Sequence, residues 1–310
     1  MKDYQTHSEI FACPNCHQYL KIDQNKLECT ECNYIFRKNE YGFIDFILDK
    51  SLYSIDSVTE EYATIQKFCG ERIYEGYIKS FLFQEPFNRV LDVGCGMGRG
   101  ISKLIEEGYD AYGIDLPHLS RFWYRAKNDP QHFLCCDANK LPFPDNFFDV
   151  IYSLGVIEHI GTKVGHCTLS ENYWEVRQKY ADEILRVTKP AGRILITCPN
   201  KHFPIDLQHG PTDDLSPKYK LRSFIFEKTG INIHPIWGKY HLLSYSEMRG
   251  LFCYNGGGRY FEAFPLKNYF GFGRFRSRLL KSLAEAYISF LPKFLLSSFL
   301  NPYVIVQIRK

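Results

Sequence analysis
A chain of 310 residues, 45% hydrophobic and 24% charged, can bury one large core and leave room for a small accessory domain. Its formal charge of +3 is too slight to indicate nucleic acid, which calls for a concentrated basic patch. The start, MKDYQTHSEIFAC, has no apolar segment of the kind a secretory signal needs, so the reducing cytoplasm is the expected location and the eleven cysteines read as thiols and metal ligands rather than disulfides.

Residues 1–48 form the first expected domain. Cys13 and Cys16, then Cys29 and Cys32, are two Cys-x-x-Cys pairs separated by twelve residues, and each pair lets one tight turn present two thiolates to a tetrahedral ion. The pattern predicts a four-cysteine zinc ribbon in which Zn2+ is structural, because four thiolates leave no position open for water or substrate. The domain closes on YGFIDFIL, whose alternation predicts a last short strand. Residues 49–88 read as a helical lead-in broken at Pro86.

From there strands and helices alternate: RVLDVG, RGISKLIEEG, YDAYGID, HLSRFWYRAK, HFLCCD, FFDVIYSL, ENYWEVRQKYADEILRVT stopped at KPAG, and RILITCP. That rhythm predicts an α/β domain with a parallel sheet covered on both faces. After Pro199 it fails for about 45 residues, and an insertion that long is expected to be a lid or binding segment. It resumes with a helix over residues 246–253, a strand at RYFEAFP, a basic helical stretch over residues 274–290 and a last strand, YVIVQIR. From residue 259 to the end nine Lys or Arg stand against two acids. The apolar run ISFLPKFLLSSFL, interrupted by Pro292 and Lys293, is too short to span a bilayer, but with its basic flank it could lie on a membrane surface.

The loop LDVGCGMGRG follows a strand and opens a helix, where a nucleotide-type ligand meets backbone amides and the positive end of the helix dipole. A dinucleotide fingerprint needs glycine at position 99, which is Arg; the spacing is instead Gly94, Gly96 and Gly98 with Asp92 ahead. Asp115 ends the next strand, where a carboxylate can accept both ribose hydroxyls, and Asp137 ends the one after. On VLDVGCGMG, GID, CDANKLPFPDNFFDVIYSLGVIEHI and ILRVTKPAGRILITCPN the chain resembles the class I S-adenosylmethionine-dependent methyltransferases of the type 11 kind, over roughly residues 88 to 200. It departs from them at Ala191, where a second glycine is usual.

The resemblance implies a Rossmann-like, doubly wound, mostly parallel seven-stranded sheet over residues 89–310, with the lid insertion at 199–245. It also implies S-adenosyl-L-methionine as cofactor. Asp92 and the turn through Gly94, Cys95, Gly96 and Gly98 would hold its amino acid part, and Asp115 the ribose. Leu116 would face the adenine, Asp137 and Ala138 would read its edge, and Ser153 and Leu154 would lie under the methionine portion. His159 in VIEHI is the candidate general base if the acceptor is a hydroxyl, and Glu158 is expected to orient it or contact the cofactor as part of the acceptor pocket. His202, Asp206, His209, Tyr240 and His241 are the expected acceptor pocket.

Three readings of the acceptor stay open. The segment PNKHFPIDLQHG looks like that of methyltransferases from polysaccharide and natural-product pathways, which favours a small-molecule, glycan or lipid-linked acceptor. The ribbon resembles domains ahead of certain ribosomal RNA methyltransferases and suggests RNA, although Lys21, Lys26, Arg37 and Lys38 are offset there by Asp23, Glu28 and Glu31. The third reading is a methyltransferase fold kept as a binding protein.

Overall fold
The computed structural model describes residues 10–23, 26–54, 59–163, 167–206, 208–211, 218–254, 257–265 and 277–310. Residues 274–276 of the expected basic helix, with 207 and 212–217 of the expected lid, lie outside them. The chain divides into two compact units, Met1–Ser153 with Lys179–Ile194 and Arg309–Lys310, and Leu154–Gln178 with Leu195–Ile308.

The first unit begins with β1 (Lys21–Asp23), β2 (Lys26–Glu28) and β3 (Ile35–Lys38), an antiparallel meander in which buried Leu27 stands opposite buried Phe36. A turn braced by Asn39, whose side-chain oxygen accepts from the Tyr41 and Phe43 amides, leads to β4 (Ile44–Asp45). This strand is shorter than the alternation of YGFIDFIL predicts. It pairs antiparallel with β3 on one side and, at Asp45 and Cys135, in parallel with a strand of the main sheet on the other. The ribbon is therefore a continuation of that sheet. Its aromatic core is shared too: the Phe46 ring centroid is 5.4 Å from Phe11 and 5.1 Å from Phe36, while Phe43 packs edge-on against Trp123 at 5.3 Å.

Ahead of the main sheet come α1 (Glu60–Ile73), a single π-helical turn and α2 (Lys79–Leu82). The last carbonyls of α2, those of Phe81 and Leu82, accept from the buried guanidinium of Arg193 at 2.7 Å each, which satisfies groups a helix end leaves open. Then come β5 (Arg89–Val93), α3 (Arg99–Glu106), β6 (Asp110–Asp115), α4 (Ser120–Arg125), β7 (Phe133–Cys135), β8 (Phe148–Leu154), α5 (Tyr173–Val187) and β9 (Thr188–Pro199). In this unit the strand order is β1-β2-β3-β4-β7-β6-β5-β8-β9, and the pairs β5/β6, β5/β8 and β6/β7 are parallel. The near-continuous burial of β5, β6 and β8 is what strands covered on both faces require. β9 starts at Thr188, the last residue of the expected helix, and runs on through KPAG, the stretch expected to be only a helix stop. Ala191 there has φ 63°, the left-handed backbone glycine ordinarily takes, so the departure noted in the sequence is a strained position.

The second unit contains the end of β9 and then β10 (Ile205–Asp206), α6 (Tyr219–Thr229), β11 (Asn232–Ile233), α7 (Tyr245–Arg249), β12 (Tyr260–Ala263), α8 (Arg278–Ser289) and β13 (Tyr303–Arg309). Its strand orders are β9-β13-β12 and the separate antiparallel pair β10-β11, with Asp206 opposite Asn232. Within the insertion, where the sequence shows no rhythm, the chain forms this hairpin with α6 between its strands. α7 opens on a capping box, Ser244 and Glu247 each accepting from the other's amide. Strands β5 to β9 with β12 and β13 make the seven that the resemblance implies. No helix among the described residues is long and apolar enough to cross a membrane.

Candidate active site and metal centres
β5 delivers Asp92 to the start of the glycine turn. Gly94, Gly96 and Gly98 have φ of 80°, 53° and 68°, where a side chain is strained. The Gly94 and Cys95 amides both donate to the Ile114 carbonyl, and Gly98 donates to Cys95, so the turn is tied to β6 and to itself. Trp123 donates its indole N–H to the Gly96 carbonyl at 2.7 Å. Gly98 has a second reason: a Cβ there would stand 2.0 Å from Phe133 Cε1. Asp115 braces the turn from the end of β6, accepting from Gly96 N and Leu116 N at 2.8 Å each.

Charge in this region is one-sided. Burial pushes the Asp92 carboxyl well above its ordinary range, against the Tyr152 hydroxyl and with the charge of Asp115 adding to the shift. Burial likewise raises Asp115 to about 6, against the two amides it accepts from. Such a site suits a ligand that brings positive charge and hydroxyl donors. Asp137 closes a turn by accepting from the amide and side chain of Asn139, with Ala138 half-buried between them. Leu116 is half-buried just past β6, and Leu154 is half-buried at the end of β8. Ser153 is fully buried, donating to the Val93 carbonyl and accepting from Tyr180 at 2.7 Å, so its hydroxyl joins β5, β8 and α5.

In the ribbon the sulfurs of Cys13, Cys16, Cys29 and Cys32 all lie within 4.8 Å of one another. The two turns that present them are built alike. His17 N donates to the Cys13 carbonyl and Asn33 N to the Cys29 carbonyl, both at 2.8 Å, and His17 and Asn33 both have left-handed φ near 60°. Each tightened turn puts one buried and one half-buried thiol toward a common centre.

The second unit gathers Glu158, His159, Asp206, His209, Tyr240 and His241. Asp206 ends β10 and accepts from the Gln208 and His209 amides and from His209 Nδ1 at 2.9 Å. Burial alone would raise its carboxyl, but the charge and hydrogen bond of His209, with His241, hold it down at about 2. His209 Nε2 stands 3.3 Å from His159 Nε2. His241 is fully buried, with Nε2 3.9 Å from Asp206 and no hydrogen-bond partner for either ring nitrogen. Glu158 is also fully buried, both its oxygens are without partners, and burial raises it to about 7. The Tyr240 ring lies 4.6 Å from His241 and stacks on His234. His202 stands apart from the rest of the expected pocket, in a hollow with Asn200, Ser244 and Ser298 that includes none of the cluster.

Sequence reasoning misses Arg177, which holds this cluster in place. Fully buried on α5, it donates to the carbonyls of Glu158, Ile160 and His241. The signal is present: Arg177 falls on the buried stripe of α5 with Tyr180, Ala181 and Ile184, where a cation needs a reason. Asn232, also missed, donates from β11 to the His209 carbonyl.

Residues 91–196 match the family described as methyltransferase domain. The probable tRNA methyltransferase 9B of Mus musculus is 31% identical over 113 residues, 36% of this chain and 22% of its own. Phosphoethanolamine N-methyltransferase 2 of Caenorhabditis elegans is 27% identical over 201 residues, 59% of this chain and 42% of its own. The chain thus spans less than half the length of these relatives. Among solved structures, phosphoethanolamine N-methyltransferase 2 of Haemonchus contortus, in complex with phosphomonomethylethanolamine and S-adenosylhomocysteine, aligns with a TM-score of 0.46 and 15% identity over 85% of this chain and 60% of that one.

Proposed function
With residues 91–196 a methyltransferase domain of the class I, S-adenosylmethionine-dependent kind, we propose that the chain methylates a hydroxyl or amine of a small-molecule, glycan or lipid-linked acceptor. The loop after β5 carries this reading, with three left-handed glycines behind a buried acid and braced by a strand-end carboxylate. S-adenosyl-L-methionine fits that donor set, since it brings an ammonium, a sulfonium and ribose hydroxyls. Asp92 and the turn through Gly94, Cys95, Gly96 and Gly98 hold the amino acid part, and Asp115 the ribose. Leu116, Asp137 and Ala138 surround the adenine, and Ser153 with Leu154 underlies the methionine portion.

The cofactor supplies a methyl group already activated on sulfur. The chain's own task is to align the acceptor and exclude water, and alignment can supply ~7–11 kcal/mol. The acceptor must also lose a proton. His159, which follows β8 closely in the chain, is the residue we assign to that side of the reaction, with Glu158, Asp206, His209 and His241 about it. His159→Ala is expected to lower turnover ~10²- to 10⁴-fold with cofactor binding intact, and unchanged turnover would remove His159 from the reaction.

We assign Zn2+ to Cys13, Cys16, Cys29 and Cys32 as a structural ion. Helix α8 exposes Leu279, Leu283 and Tyr287 at four-residue spacing, with Phe290 and Phe294 beyond and Arg278, Lys281 and Lys293 nearby, which supports docking on an anionic lipid surface. Co-sedimentation with phosphatidylserine vesicles, lost in Leu283→Glu, is the expected result, and equal binding to neutral vesicles contradicts it. The acceptor itself is found by passing labelled methyl from the cofactor into fractionated extract. Label in lipid or small-molecule fractions supports the reading, label in RNA replaces the acceptor class, and cofactor binding without transfer anywhere favours a binding protein.

A further inference from the structure
The cluster of the second unit has more unpartnered polar atoms than proton transfer needs. Glu158 is fully buried with both oxygens free of hydrogen bonds, and so is His241 with both ring nitrogens. Buried polar atoms left so cost free energy unless a ligand meets them. We propose that Glu158, His159 and His209 form a binding site for a divalent first-row transition-metal ion.

Three observations converge on it. The ligand atoms of Glu158, His159 and His209 lie within 4.8 Å of one another. The His159 and His209 Nε2 atoms are 3.3 Å apart, and two imidazoles on one tetrahedral ion with ~2.1 Å bonds stand roughly 3.4 Å apart. His209 gives its other ring nitrogen to Asp206 at 2.9 Å, the outer carboxylate that fixes the tautomer of a metal-bound imidazole and leaves Nε2 as the lone pair. Asp206 is committed to this role, because it also accepts from the Gln208 and His209 amides. It is a positioning residue, and His241 adds a further nitrogen donor beside His209, ring centroids 4.8 Å apart.

Two imidazoles and one carboxylate leave coordination positions open, unlike the four thiolates of the ribbon. The function this gives rests on the methyl-transfer reading, whereas the binding of the ion does not. An acceptor oxygen in an open position gives up its proton more readily, so the site selects a hydroxyl over an amine. The O–H bond breaks with its proton passing to solvent, the O–C bond forms, and the C–S bond of the donor breaks. His159 then serves as a ligand and not as a free base.

The test is a titration of the full, zinc-loaded chain with Co2+ alone, followed by visible absorption and calorimetry. One equivalent is expected to bind with d–d bands and no thiolate charge-transfer band, and with no release of the ribbon's zinc. Glu158→Gln and His159→Asn, each checked for folding by circular dichroism, are expected to abolish it. Asp206→Asn is expected to weaken it ~10- to 100-fold while the thiolate site stays loaded. The proposal is overturned if the wild-type chain binds no Co2+ beyond exchange at the thiolates, or if either folded ligand variant binds Co2+ as the wild type does.

Discussion

The cysteine ribbon and the Glu158–His159–His209 cluster are the two candidate metal sites, and they are assembled in opposite ways. The ribbon's four cysteines fall within residues 13–32 and sit on two turns with the same hydrogen bond and a left-handed residue, His17 or Asn33, after each pair. The cluster draws on two distant stretches, around residues 158–159 and 206–209. It needs the β10-β11 hairpin to carry Asp206 and His209, and Arg177 to tie the carbonyls of Glu158, Ile160 and His241. Local geometry makes the first site, and tertiary contacts make the second. A perturbation of one should therefore leave the other standing.

The largest effect that would break this contrast is removal of the zinc proposed for the ribbon, because in small zinc domains binding is worth ~10–16 kcal/mol of folding. Chelation is expected to expose the amides of residues 13–38 to hydrogen exchange. The contrast sharpens if exchange near Phe43 and Phe46 rises less, since β4 pairs with β7 and Phe43 packs on Trp123. Arg177→Met is the converse experiment. Leaving buried carbonyls without their donor is expected to cost about 1–3 kcal/mol, seen as a lower midpoint in urea, with the zinc content proposed for the ribbon unchanged.

The cofactor loop stands between these cases, partly local and partly braced by Asp115. In the fold Asp115 stays protonated up to about 6 against an ordinary 3.8. A carboxyl raised in this way makes the folded state bind an extra proton between the two values. Stability of the cofactor-free chain is therefore expected to fall as pH rises from about 4 to 6, by roughly 3 kcal/mol. Cofactor affinity is expected to rise across the same window, since ribose hydroxyls donate to the ionised form. Asp115→Asn should flatten both trends in denaturation and calorimetry. The smallest effect is purely local: Ala191→Gly relieves a left-handed alanine and should stabilise the chain by about 1 kcal/mol in thermal unfolding.

What was legible in the sequence follows the same division. β5, β6, β8 and β13 are apolar runs bounded by turns, and each forms within a residue of its expected start and end. β4, β10 and β11 are two residues long, too short for any periodicity, and exist only through their partners. The cysteine pairs are readable from spacing alone. His159, Asp206 and His209 are noticeable as residues that follow strand ends, and His241 only as a member of the aromatic insertion, but nothing in the sequence gives the 3.3 Å between two imidazoles, which depends on the hairpin and on Arg177. Ser153 shows the limit in the other direction, because its place at a strand end was readable but its bonds to Val93 and Tyr180 were not.

The central claim, a methyl-donor site built on the loop after β5, is tested most directly by calorimetric titration of the full chain with S-adenosyl-L-methionine at pH 7.5. One equivalent is expected to bind, with affinity lowered at least tenfold in Asp115→Ala, while S-adenosylhomocysteine competes for the same site. Absence of binding by the folded wild-type chain, or binding that Asp115→Ala leaves untouched, would contradict the account.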